Sequence, residues 1–569
     1  MDWQQEFQRW VSSPALTSEQ RQDLEQMAEP VRRANFGSRL HFGTAGLRGV
    51  MALGPACINT FTLGQAVTAF GRWLLDADSA ARQDGVCICY DARHGSDALA
   101  ELAARCLSAL GLPVHLFTQP RPTPELSFAV GHLGAAGGLN ITASHNTAEY
   151  NGCKFYRRGG AQLTDPQCAQ VAAQMEGLPL LAAPPAGAPA LIHPLAQALD
   201  EAYCQAICQG LPQPPTAVPW AGKLRIVYTP LHGVGGLLLP GLLARCGFTQ
   251  LFAVNAQMEP DGAFPTVASP NPEDPAAFAL ALEEARRVDA HLIIATDPDA
   301  DRVAFQVKHG GAYRPLSGHQ TGCLLADFLL TAHGAMGCLP ASPFLVKSLV
   351  TTQLARRVAE SHGAACYETF TGFKHMAGLA QQLEQAGKGH CILAFEEAIG
   401  CMIGSHARDK DGLAATLAMC QLAACCLAEG QTVWDALEDL FRRCGQYRED
   451  ACQRVYPGPD GNLRRQQVME GLRQKPLASL DGLPLVAIRD YLEGFRWEIA
   501  ANSRQSLPLS GENMIYYEIA GGTALAIRPS GTEPKIKCYL LAHGSTVQAC
   551  EQVLQHLRRA VPALLGPQD

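Results

Sequence analysis

Three aspartates at alternating positions are candidate metal ligands. Asp297, Asp299 and Asp301 follow directly after the apolar segment AHLIIAT. In an extended segment, residues two apart point the same way, and a slight curl lets the three carboxylates converge on one hard cation. Mg²⁺ takes oxygen ligands, so three carboxylates and a phosphate oxygen would together complete a magnesium site.

Other uses of this acidic segment fit the residues less well. An EF-hand needs Gly at its sixth position and Glu at its twelfth, where this chain has Arg302 and Lys308. A phosphatase motif of the form D-x-D-x-T needs Thr where this chain has Asp301. A solvated acidic turn is the remaining alternative, although such a turn rarely follows a fully apolar strand.

A second segment, TASHNTAEYNGCKFY, could transfer a phosphoryl group. Ser144 and His145 follow the predicted strand GGLNI, and Lys154 lies beyond an Asn-Gly turn. A serine hydroxyl alone is a weak nucleophile, but a neighbouring His can move its proton and a cation can screen the charge. Taken alone, a serine in this setting is more often a turn or cap residue. Its combination with the acidic segment in one chain is what favours the chemical role.

The segment RPSGTEPKIK offers donors for a phosphate. Arg528, Ser530 and Thr532, with the backbone amides around Gly531, provide a fork of hydrogen-bond donors. The segment HGVGGLLL begins like a dinucleotide-binding fingerprint, but Leu238 stands where the third glycine is needed. We therefore interpret that segment as a turn that enters a helix.

The segment HFGTAGLRGV places Arg48 between glycines, which allow a ligand to approach the backbone. Taken alone, it fits a turn and an anion site equally well.

Short apolar runs alternate with Ala- and Leu-rich segments of helical length, which predicts βα units with mostly parallel sheets. Ligands bind outside the carboxyl ends of such strands, so the loops there are expected to carry the chemistry. A helix is predicted from Asp97 to Leu110. Predicted strands lie at residues 86–92, 224–230, 290–297 and 390–397.

The 569 residues predict several domains, since a domain typically takes roughly 100 to 200 residues. Pro- and Ala-rich segments at 178–191 and 211–220 indicate a connector and a boundary, and weaker breaks occur at 338–343 and 456–462. After the last break the pattern changes to strand, loop, strand and helix. The sequence thus predicts three α/β blocks followed by a small α+β domain.

Composition excludes several classes of protein. Hydrophobic residues make up 47% and charged residues 17%, which is too apolar for a disordered chain. The net charge of -8 leaves no basic excess for nucleic-acid binding. Neither a signal peptide nor a run of 18 apolar residues is found, so no membrane association is expected. The 21 cysteines show no disulfide framework, which favours reduced thiols and a cytoplasmic location.

With these motifs in this order, the chain resembles the α-D-phosphohexomutase family. The phosphoserine loop matches at Thr142 to Asn146, the metal loop at Asp297 to Arg302, the sugar loop near Glu396 and the phosphate loop at Arg528 to Thr532. The N-terminal motif looks most like the phosphoglucomutase-2-like branch. Two departures occur: Thr147 replaces a usual Pro, and the sugar loop has Phe395 and Ala398 where many hexomutases have Gly and Ser.

The resemblance implies an α/β fold of four domains around a central cleft, three α/β domains with mixed sheets and a C-terminal α+β domain. Together with the Pro-rich breaks, it gives expected domains at residues 1–218, 219–322, 323–454 and 455–569.

The resemblance also assigns roles to residues. Ser144 is expected to be phosphorylated and, with the three aspartates, to hold Mg²⁺. Arg48, His145 and Lys410 are candidates for proton transfer. The expected substrate-binding residues are Lys154, Arg302, Thr371, Gly372, Lys374, Glu396, Arg528, Ser530, Gly531 and Thr532.

The implied activity is interconversion of glucose 1-phosphate and glucose 6-phosphate through a sugar bisphosphate that also acts as activator. Pentose and mannose phosphates are alternative substrates, because Ala398 removes a hydroxyl partner. A non-catalytic phosphosugar-binding regulator is less favoured, since Ser144 and all three aspartates are present. A hydrolase is the other rival, and it would release inorganic phosphate, whereas a mutase must exclude water from the phosphoserine. Small sugar phosphates are the expected partners, and the expected state is a monomer or weak dimer.

Overall fold

The computed structural model describes residues 2–42, 46–195, 197–458, 460–475, 477–530 and 534–566. In this part of the chain four β-sheets follow one another along the sequence, each formed by one continuous stretch of residues. The architecture confirms the predicted fold class, because three mixed α/β sheets precede one antiparallel sheet.

Three helices precede the first sheet and pack through aromatic side chains. Trp10 meets Phe36 and Phe61 edge to face, with ring centroids 5.6 Å and 5.4 Å away. Asp2 caps the first helix by accepting from the backbone N–H groups of Gln4 and Gln5. These helices are α1 (Trp3–Val11), α2 (Ser18–Gln26) and α3 (Glu29–Phe36).

The first sheet has the strand order β1-β5-β4-β2-β3-β6. Strands β2, β3, β4 and β6 are parallel, whereas β5 runs antiparallel to both β4 and β1. The apolar run VCICY forms the central strand β2, as its lack of alternation predicted. The elements are β1 (Leu47–Val50), α4 (Thr60–Ala77), α5 (Ala81–Asp84), β2 (Val86–Tyr90), α6 (Ser96–Ala109), β3 (Val114–Phe117), α7 (Thr123–His132), β4 (Gly137–Ile141), β5 (Tyr150–Arg157), α8 (Asp165–Glu176), β6 (Ile192–Leu195) and α9 (Ala198–Gly210).

The second sheet has the order β11-β10-β9-β7-β8. Strands β7, β8 and β9 are parallel, and β10 returns antiparallel to β9. The elements are α10 (Val218–Ala221), β7 (Ile226–Thr229), α11 (Gly235–Arg245), β8 (Leu251–Ala253), α12 (Asn255–Met258), α13 (Ala279–Val288), β9 (Leu292–Thr296), β10 (Val303–His309) and β11 (Ala312–Leu316).

The third sheet has the order β13-β12-β14-β15, with β15 antiparallel to β14 and the others parallel. Its elements are α14 (Gly318–Ala335), β12 (Pro343–Ser348), α15 (Leu354–Ser361), β13 (Ala365–Thr369), α16 (Phe373–Gln385), β14 (His390–Glu396), β15 (Gly400–Ile403), α17 (Gly412–Ala428) and α18 (Val433–Cys444).

These three sheets share one local design. In each, a central parallel strand ends in a loop that returns as an antiparallel neighbour, namely β4 to β5, β9 to β10 and β14 to β15. Each of these loops contains one residue other than glycine with positive φ: Ser144 at 52°, Ala300 at 54° and Ile399 at 51°. Ser144 and His145 lie in the first loop, Asp297, Asp299 and Asp301 in the second, and Glu396 is the residue before the third.

The fourth sheet is antiparallel and has the order β16-β23-β22-β21-β18-β19-β20, with β17 paired to β18. Its elements are β16 (Gln446–Val455), α19 (Gly461–Gln474), β17 (Ser479–Leu480), β18 (Leu483–Asp490), β19 (Phe495–Glu498), β20 (Ser503–Ser506), β21 (Ile515–Ile519), β22 (Thr523–Pro529), β23 (Lys535–Gly544) and α20 (Val547–Leu565).

The pairing of strand β16 does not follow the expected domain boundary between residues 454 and 455. Strand β16 lies before that boundary, yet it pairs along its whole length with β23 of the last sheet. The Pro- and Gly-rich break at 456–462 follows this strand, so it marks the entry to α19 and not the start of the fourth unit.

Apolar packing joins the units. One core cluster runs through the first three units, from Cys87 to Tyr447. A smaller cluster joins the third unit to the fourth through contacts that include Phe370 and Tyr491, whose rings meet edge to face at 5.6 Å. No single helix of the described residues is long and apolar enough to cross a membrane; α17 and α18 satisfy that test only as a pair bent by 89°.

Candidate active site

Residues from all four sheets line one cleft of about 500 Å³. Its lining includes eight Lys or Arg side chains and four Asp or Glu side chains, an excess of positive charge that suits an anionic ligand. The predicted site residues that line it are Arg48, Ser144, Lys154, Asp301, Arg302, Thr371, Gly372, Lys374, Glu396, Lys410, Arg528 and Ser530.

Three further predicted residues lie against this lining. His145 and Asp297 contact Ser144, and Asp299 shares the Lys154 ammonium with Asp301. Gly531 and Thr532 lie outside the described residues.

A larger cavity of about 660 Å³ lies elsewhere, beside α9 and α11. None of the predicted site residues lines it. Its charged side chains pair with each other, Arg121 with Asp200 at 2.9 Å and Arg245 with Glu201. The smaller cleft is therefore the candidate active site.

Ser144 points from the β4–β5 loop toward the acidic loop. Its side chain is buried, and Oγ donates to Asp297 Oδ2 at 2.8 Å while lying 3.2 Å from His145 Nδ1. The positive φ of Ser144 costs a residue with a Cβ about 1–2 kcal/mol. Contacts from the rest of the first unit must hold the loop in this conformation.

The acidic loop brings the three aspartates together as the sequence predicted. Asp297, Asp299 and Asp301 are buried, and one carboxylate oxygen of each lies within 4.8 Å of the others. Thr123, at the start of α7, fixes the middle aspartate: its Oγ1 donates to Asp299 Oδ2 at 2.6 Å and its N–H donates to Asp299 O at 2.9 Å. Arg302 N–H donates to Asp297 Oδ1 at 3.0 Å.

Burial and mutual repulsion govern ionisation of these carboxylates. Burial raises the pKa of Asp297 well above its usual range, and the charges of Asp299 and Asp301 raise it further. Burial also opposes ionisation of Asp299 and Asp301, but the Lys154 ammonium outweighs it, and both pKa values fall below the ordinary value. Ionisation of Asp299 and Asp301 therefore depends on the positive charge of Lys154 beside them.

Two buried lysines supply positive charge. Lys154 Nζ donates to Asp299 Oδ2 at 2.6 Å and to Asp301 Oδ2 at 2.7 Å. Lys410 Nζ lies 3.2 Å from Asp301 Oδ2 and 3.4 Å from Asp409 Oδ1. Burial alone would lower the pKa of Lys410, but Asp301 and Asp409 outweigh it and raise this pKa, so Lys410 is a cation that can donate a proton.

The segment DKDG positions Lys410 through its two aspartates. Asp409 Oδ2 accepts from Tyr156 Oη and from Gln162 Nε2, both at 2.7 Å. Asp411 caps α17 by accepting from the N–H groups of its first turn at 2.9 Å. The first unit and a helix N-terminus thus hold the segment from both sides.

His145 and Arg48 flank Ser144 in different ways. Burial, with the charges of Arg302 and Arg48, lowers the pKa of His145 to about 3, so its imidazole is neutral at physiological pH and is a weak base. Arg48 Nη1 donates to Asn146 Oδ1 at 3.0 Å in the same loop.

The predicted sugar loop contributes two carboxylates. Burial raises the pKa of Glu396 to about 7. Its neighbour Glu397 also lines the cleft, and Glu397 Oε2 accepts from Ser348 Oγ at 3.0 Å and Thr351 Oγ1 at 3.2 Å. Ala398 lines the cleft without a hydroxyl, as its sequence position implied.

Cations of the third and fourth units also line the cleft. Arg528 on β22 is the register partner of Lys537 on β23. Arg465 on α19 donates to Ser530 O. Lys374, at the start of α16, forms an ion pair with Asp165 of the first unit. The cleft thus contains cations from separate sheets.

The acidic cluster fits a divalent cation. Asp299 Oδ1 and Asp301 Oδ1 are buried and have no hydrogen-bond partner among the described residues, although the other oxygen of each carboxylate is bonded. Unsatisfied carboxylate oxygens beside a third carboxylate and a serine hydroxyl are a donor set suited to a hard cation. The residues present therefore fit a metal site.

Several lining residues were missed from the sequence. They are Gln162, Phe373, Glu397, Arg465, Glu512, Asn513, Lys537 and Tyr539. Glu397 could have been included, because it directly follows Glu396 in the sugar loop. Arg465 gave no signal, since it lies on a polar helix whose place beside the 528–530 loop depends on tertiary packing.

Comparisons with known proteins place this geometry in context. Models of the phosphoglucomutase/phosphomannomutase family match the chain in three parts: alpha/beta/alpha domain I over residues 39–179, domain II over 201–311 and domain III over 317–444. Phosphoglucomutase from Staphylococcus haemolyticus (strain JCSC1435) is 33% identical over 537 residues, which cover 92% of this chain and 93% of that protein. Phosphoglucomutase from Staphylococcus aureus (strain N315) is 32% identical over 527 residues, 92% of each chain.

Solved structures share the fold. A putative phosphomannomutase from Thermus thermophilus superposes with a TM-score of 0.67 at 24% identity, covering 92% of this chain and 99% of that one. The Paramecium phosphoprotein pp63/parafusin, a phosphoglucomutase in an open form, gives a TM-score of 0.66 at 16% identity, covering 94% and 97%.

Replacing Asp299 tests the metal site. We expect Asp299→Asn to weaken Mg²⁺ binding by at least about tenfold, because even residues that only support metal ligands typically contribute that much affinity. The measurement is calorimetric titration of Mg²⁺ into the protein. Asp289→Asn is the matched control, since the Asp289 side chain is 65% exposed and its positive φ suits Asn. Equal Mg²⁺ affinity of Asp299→Asn and wild type would contradict the assignment.

Proposed function

Because the chain belongs to the phosphoglucomutase/phosphomannomutase family, we propose that it is a phosphoglucomutase that interconverts glucose 1-phosphate and glucose 6-phosphate. One observation carries the proposal: Ser144 Oγ lies 2.8 Å from Asp297 of a buried triad of carboxylates, in a cleft that is also lined by cations of the fourth unit. A phosphoryl carrier and an anchor for a second phosphate are the two parts that such a mutase requires.

The resident cation in this proposal is Mg²⁺, held by Asp297, Asp299, Asp301 and Ser144. When bound, it would neutralise charge on the phosphoryl group that is being transferred. The hard oxygen donors and the small spacing of the carboxylates support this choice.

In the first half of the reaction, phospho-Ser144 gives its phosphoryl group to a hydroxyl of the bound sugar monophosphate. The Oγ–P bond breaks, a bond forms between phosphorus and the sugar oxygen, and the sugar hydroxyl loses its proton. Among the three candidates for this proton transfer, His145 lies within hydrogen-bond distance of Ser144 Oγ, at 3.2 Å. The cationic Lys154 and Lys410 support negative charge nearby.

The resulting sugar bisphosphate must then turn over in the cleft so that its other phosphate reaches Ser144. Return of that phosphoryl group to Ser144 leaves the isomeric monophosphate. A fixed anchor for the remote phosphate must accept either end of the molecule, and Arg528 with Ser530 is proposed for that role, together with Gly531 and Thr532. Free bisphosphate would act as activator by phosphorylating Ser144.

Glu396 and Glu397 are proposed to bind hydroxyl groups in the middle of the cleft. Glucose is the favoured sugar because relatives that are 32–33% identical over most of the chain are phosphoglucomutases. Pentose and mannose phosphates are the alternatives, since Ala398 provides no hydroxyl partner. The branch expected from the N-terminal motif stays a prediction.

We further propose a cytoplasmic enzyme that acts on small sugar phosphates as a monomer or weak dimer. All 21 cysteine thiols are free, which supports a reducing compartment.

Ser144→Ala should abolish turnover while preserving the fold, because Ala has the same Cβ as Ser at this positive φ. Removal of the nucleophile from an unrelated enzyme costs about 10⁶ in kcat, so activity should fall by several orders of magnitude. Mass spectrometry of the intact protein should show a phosphate-bearing form of wild type only. Thr147→Ala is the control, since its hydroxyl donates to exposed Glu149 in the same loop. Equal turnover by Ser144→Ala would reject the phosphoserine mechanism.

Arg528→Ala should raise KM for glucose 1-phosphate by about tenfold or more, since a hydrogen bond to a charged group contributes about 1.5–3 kcal/mol. A lower kcat is also expected, because the remote phosphate orients the reacting one. The control is Arg504→Ala, which removes an exposed arginine of the same sheet that stacks on Phe495. The measurement is steady-state kinetics of both variants. Unchanged KM and kcat for Arg528→Ala would exclude Arg528 as the anchor for the remote phosphate.

The choice of sugar is tested by assaying glucose 1-phosphate beside ribose 1-phosphate and deoxyribose 1-phosphate, each with a trace of the matching bisphosphate. We expect the highest kcat/KM for glucose 1-phosphate and measurable activity on a pentose, because loss of a hydrogen-bonding group relaxes discrimination. A kcat/KM for either pentose clearly above that for glucose would show that the enzyme is a phosphopentomutase.

A further inference from the structure

Arg93 is a buried arginine that holds the loop carrying Ser144. It follows β2, and its side chain is fully buried. Nη1 donates to Thr147 O at 2.8 Å and Tyr150 O at 3.0 Å, while Nη2 donates to Ser144 O at 2.6 Å and to Asn146 O. One guanidinium group therefore bonds four backbone carbonyls of a single loop.

Both Nη atoms of this arginine are committed to the loop. The four Nη hydrogens are used by the carbonyls. Nε is buried 3.2 Å from Asp91 Oδ2 in an ion pair and makes no hydrogen bond among the described residues. Any influence of Arg93 on the reaction must pass through the loop.

Asp91 connects to Ser144 by a second path. Its Oδ2 accepts from Thr142 Oγ1 at 2.6 Å, and Thr142 Oγ1 accepts from Ser144 N–H at 2.9 Å. Its Oδ1 accepts from Ser96 Oγ at 2.9 Å, which ties the aspartate to α6. Arg93 thus bonds the C=O of Ser144 directly, and Asp91 is linked to the N–H of Ser144 through the Thr142 hydroxyl.

Ser144 needs such support. Its φ of 52° is unfavourable for a residue with a side chain, and strained residues persist when surrounding contacts determine the backbone. The direction of Oγ toward Asp297 depends on this backbone conformation.

We propose that Arg93 is a positioning residue for phosphoryl transfer, because it fixes the backbone of residues 144–150 and so aims Ser144 Oγ at the acidic loop. This inference rests on the proposed function of the same site.

The test compares Arg93→Lys and Arg93→Ala with wild type in the full-length protein. Lys keeps the positive charge but cannot bond four carbonyls, since it has only three N–H donors. We expect kcat to fall about 100-fold in Arg93→Lys with KM for glucose 1-phosphate nearly unchanged, because small misplacement of reacting groups costs about that much. Hydrogen exchange of the 144–150 amides should become faster.

Arg121→Lys is the matched control. Arg121 is also an arginine of the first unit in an ion pair, with Asp200, and it does not contact the 144–150 loop. This variant should keep the kcat and the loop exchange of wild type. Guanidinium or ethylguanidinium ions at concentrations well below the denaturing range should restore part of the kcat of Arg93→Ala and leave Ser144→Ala inactive.

The outcomes separate this inference from the proposed function. Wild type without mutase activity would reject the proposed function. An active wild type with an Arg93→Lys variant of equal kcat and equal loop exchange would overturn the inference. General destabilisation would also overturn it. That pattern would be a loss of kcat and of thermal stability in Arg93→Lys, unchanged hydrogen exchange of the loop, and no rescue of Arg93→Ala by guanidinium.

Discussion

The structure depends on the burial of three carboxylates within 4.8 Å of one another. Repulsion and desolvation both oppose such a cluster, so positive charge and hydrogen bonds must be supplied by neighbouring residues. Lys154 comes from the first sheet, Lys410 follows the third, and Thr123 begins a helix of the first unit. The acidic loop itself belongs to the second sheet. The cluster is thus stable only where three units meet.

Backbone hydrogen bonds reinforce this meeting point. Thr123 N–H donates to Asp299 O at 2.9 Å, Val303 N–H to Ile399 O at 3.2 Å and Gly412 N–H to Ala300 O at 3.1 Å. These bonds tie together the three units whose loops share the same strand-to-antiparallel-strand design. The fourth unit meets the third through apolar contacts, an ion pair of Arg489 with Glu368 and a hydrogen bond from Gln353 to Tyr516. Apolar packing thus joins the fourth unit to the third, as it joins the first three units to one another.

Much of this arrangement could be predicted from the sequence because its chemistry lies in consecutive residues at strand ends. The strand predicted at 290–297 is β9, and the aspartates after it converge as their alternation implied. Residues whose roles depend on distant partners gave no such signal. Arg93 bonds carbonyls about fifty positions later, and Arg465 meets Ser530 only after the last sheet has formed. The boundaries between units stay predictions, because Pro and Gly, as at 456–462, mark a turn within a unit as readily as one between units.

Under the proposed function, the cations and the carboxyl groups of the cleft bind different parts of the substrate. The fourth unit contributes three cations, Arg465, Arg528 and Lys537, and one carboxylate, Glu512, to the lining. A cationic group of this kind attracts any phosphate, so it cannot distinguish one sugar from another. Discrimination must come from the sugar loop, where Glu396 and Glu397 provide carboxyl groups and Ala398 provides no hydroxyl. Carboxyl oxygens accept hydrogen bonds from any hydroxyl within reach. Under the proposed function, such a sugar loop recognises the presence of hydroxyl groups more strictly than their orientation. A bisphosphate can then bind in both of the orientations that the reaction requires.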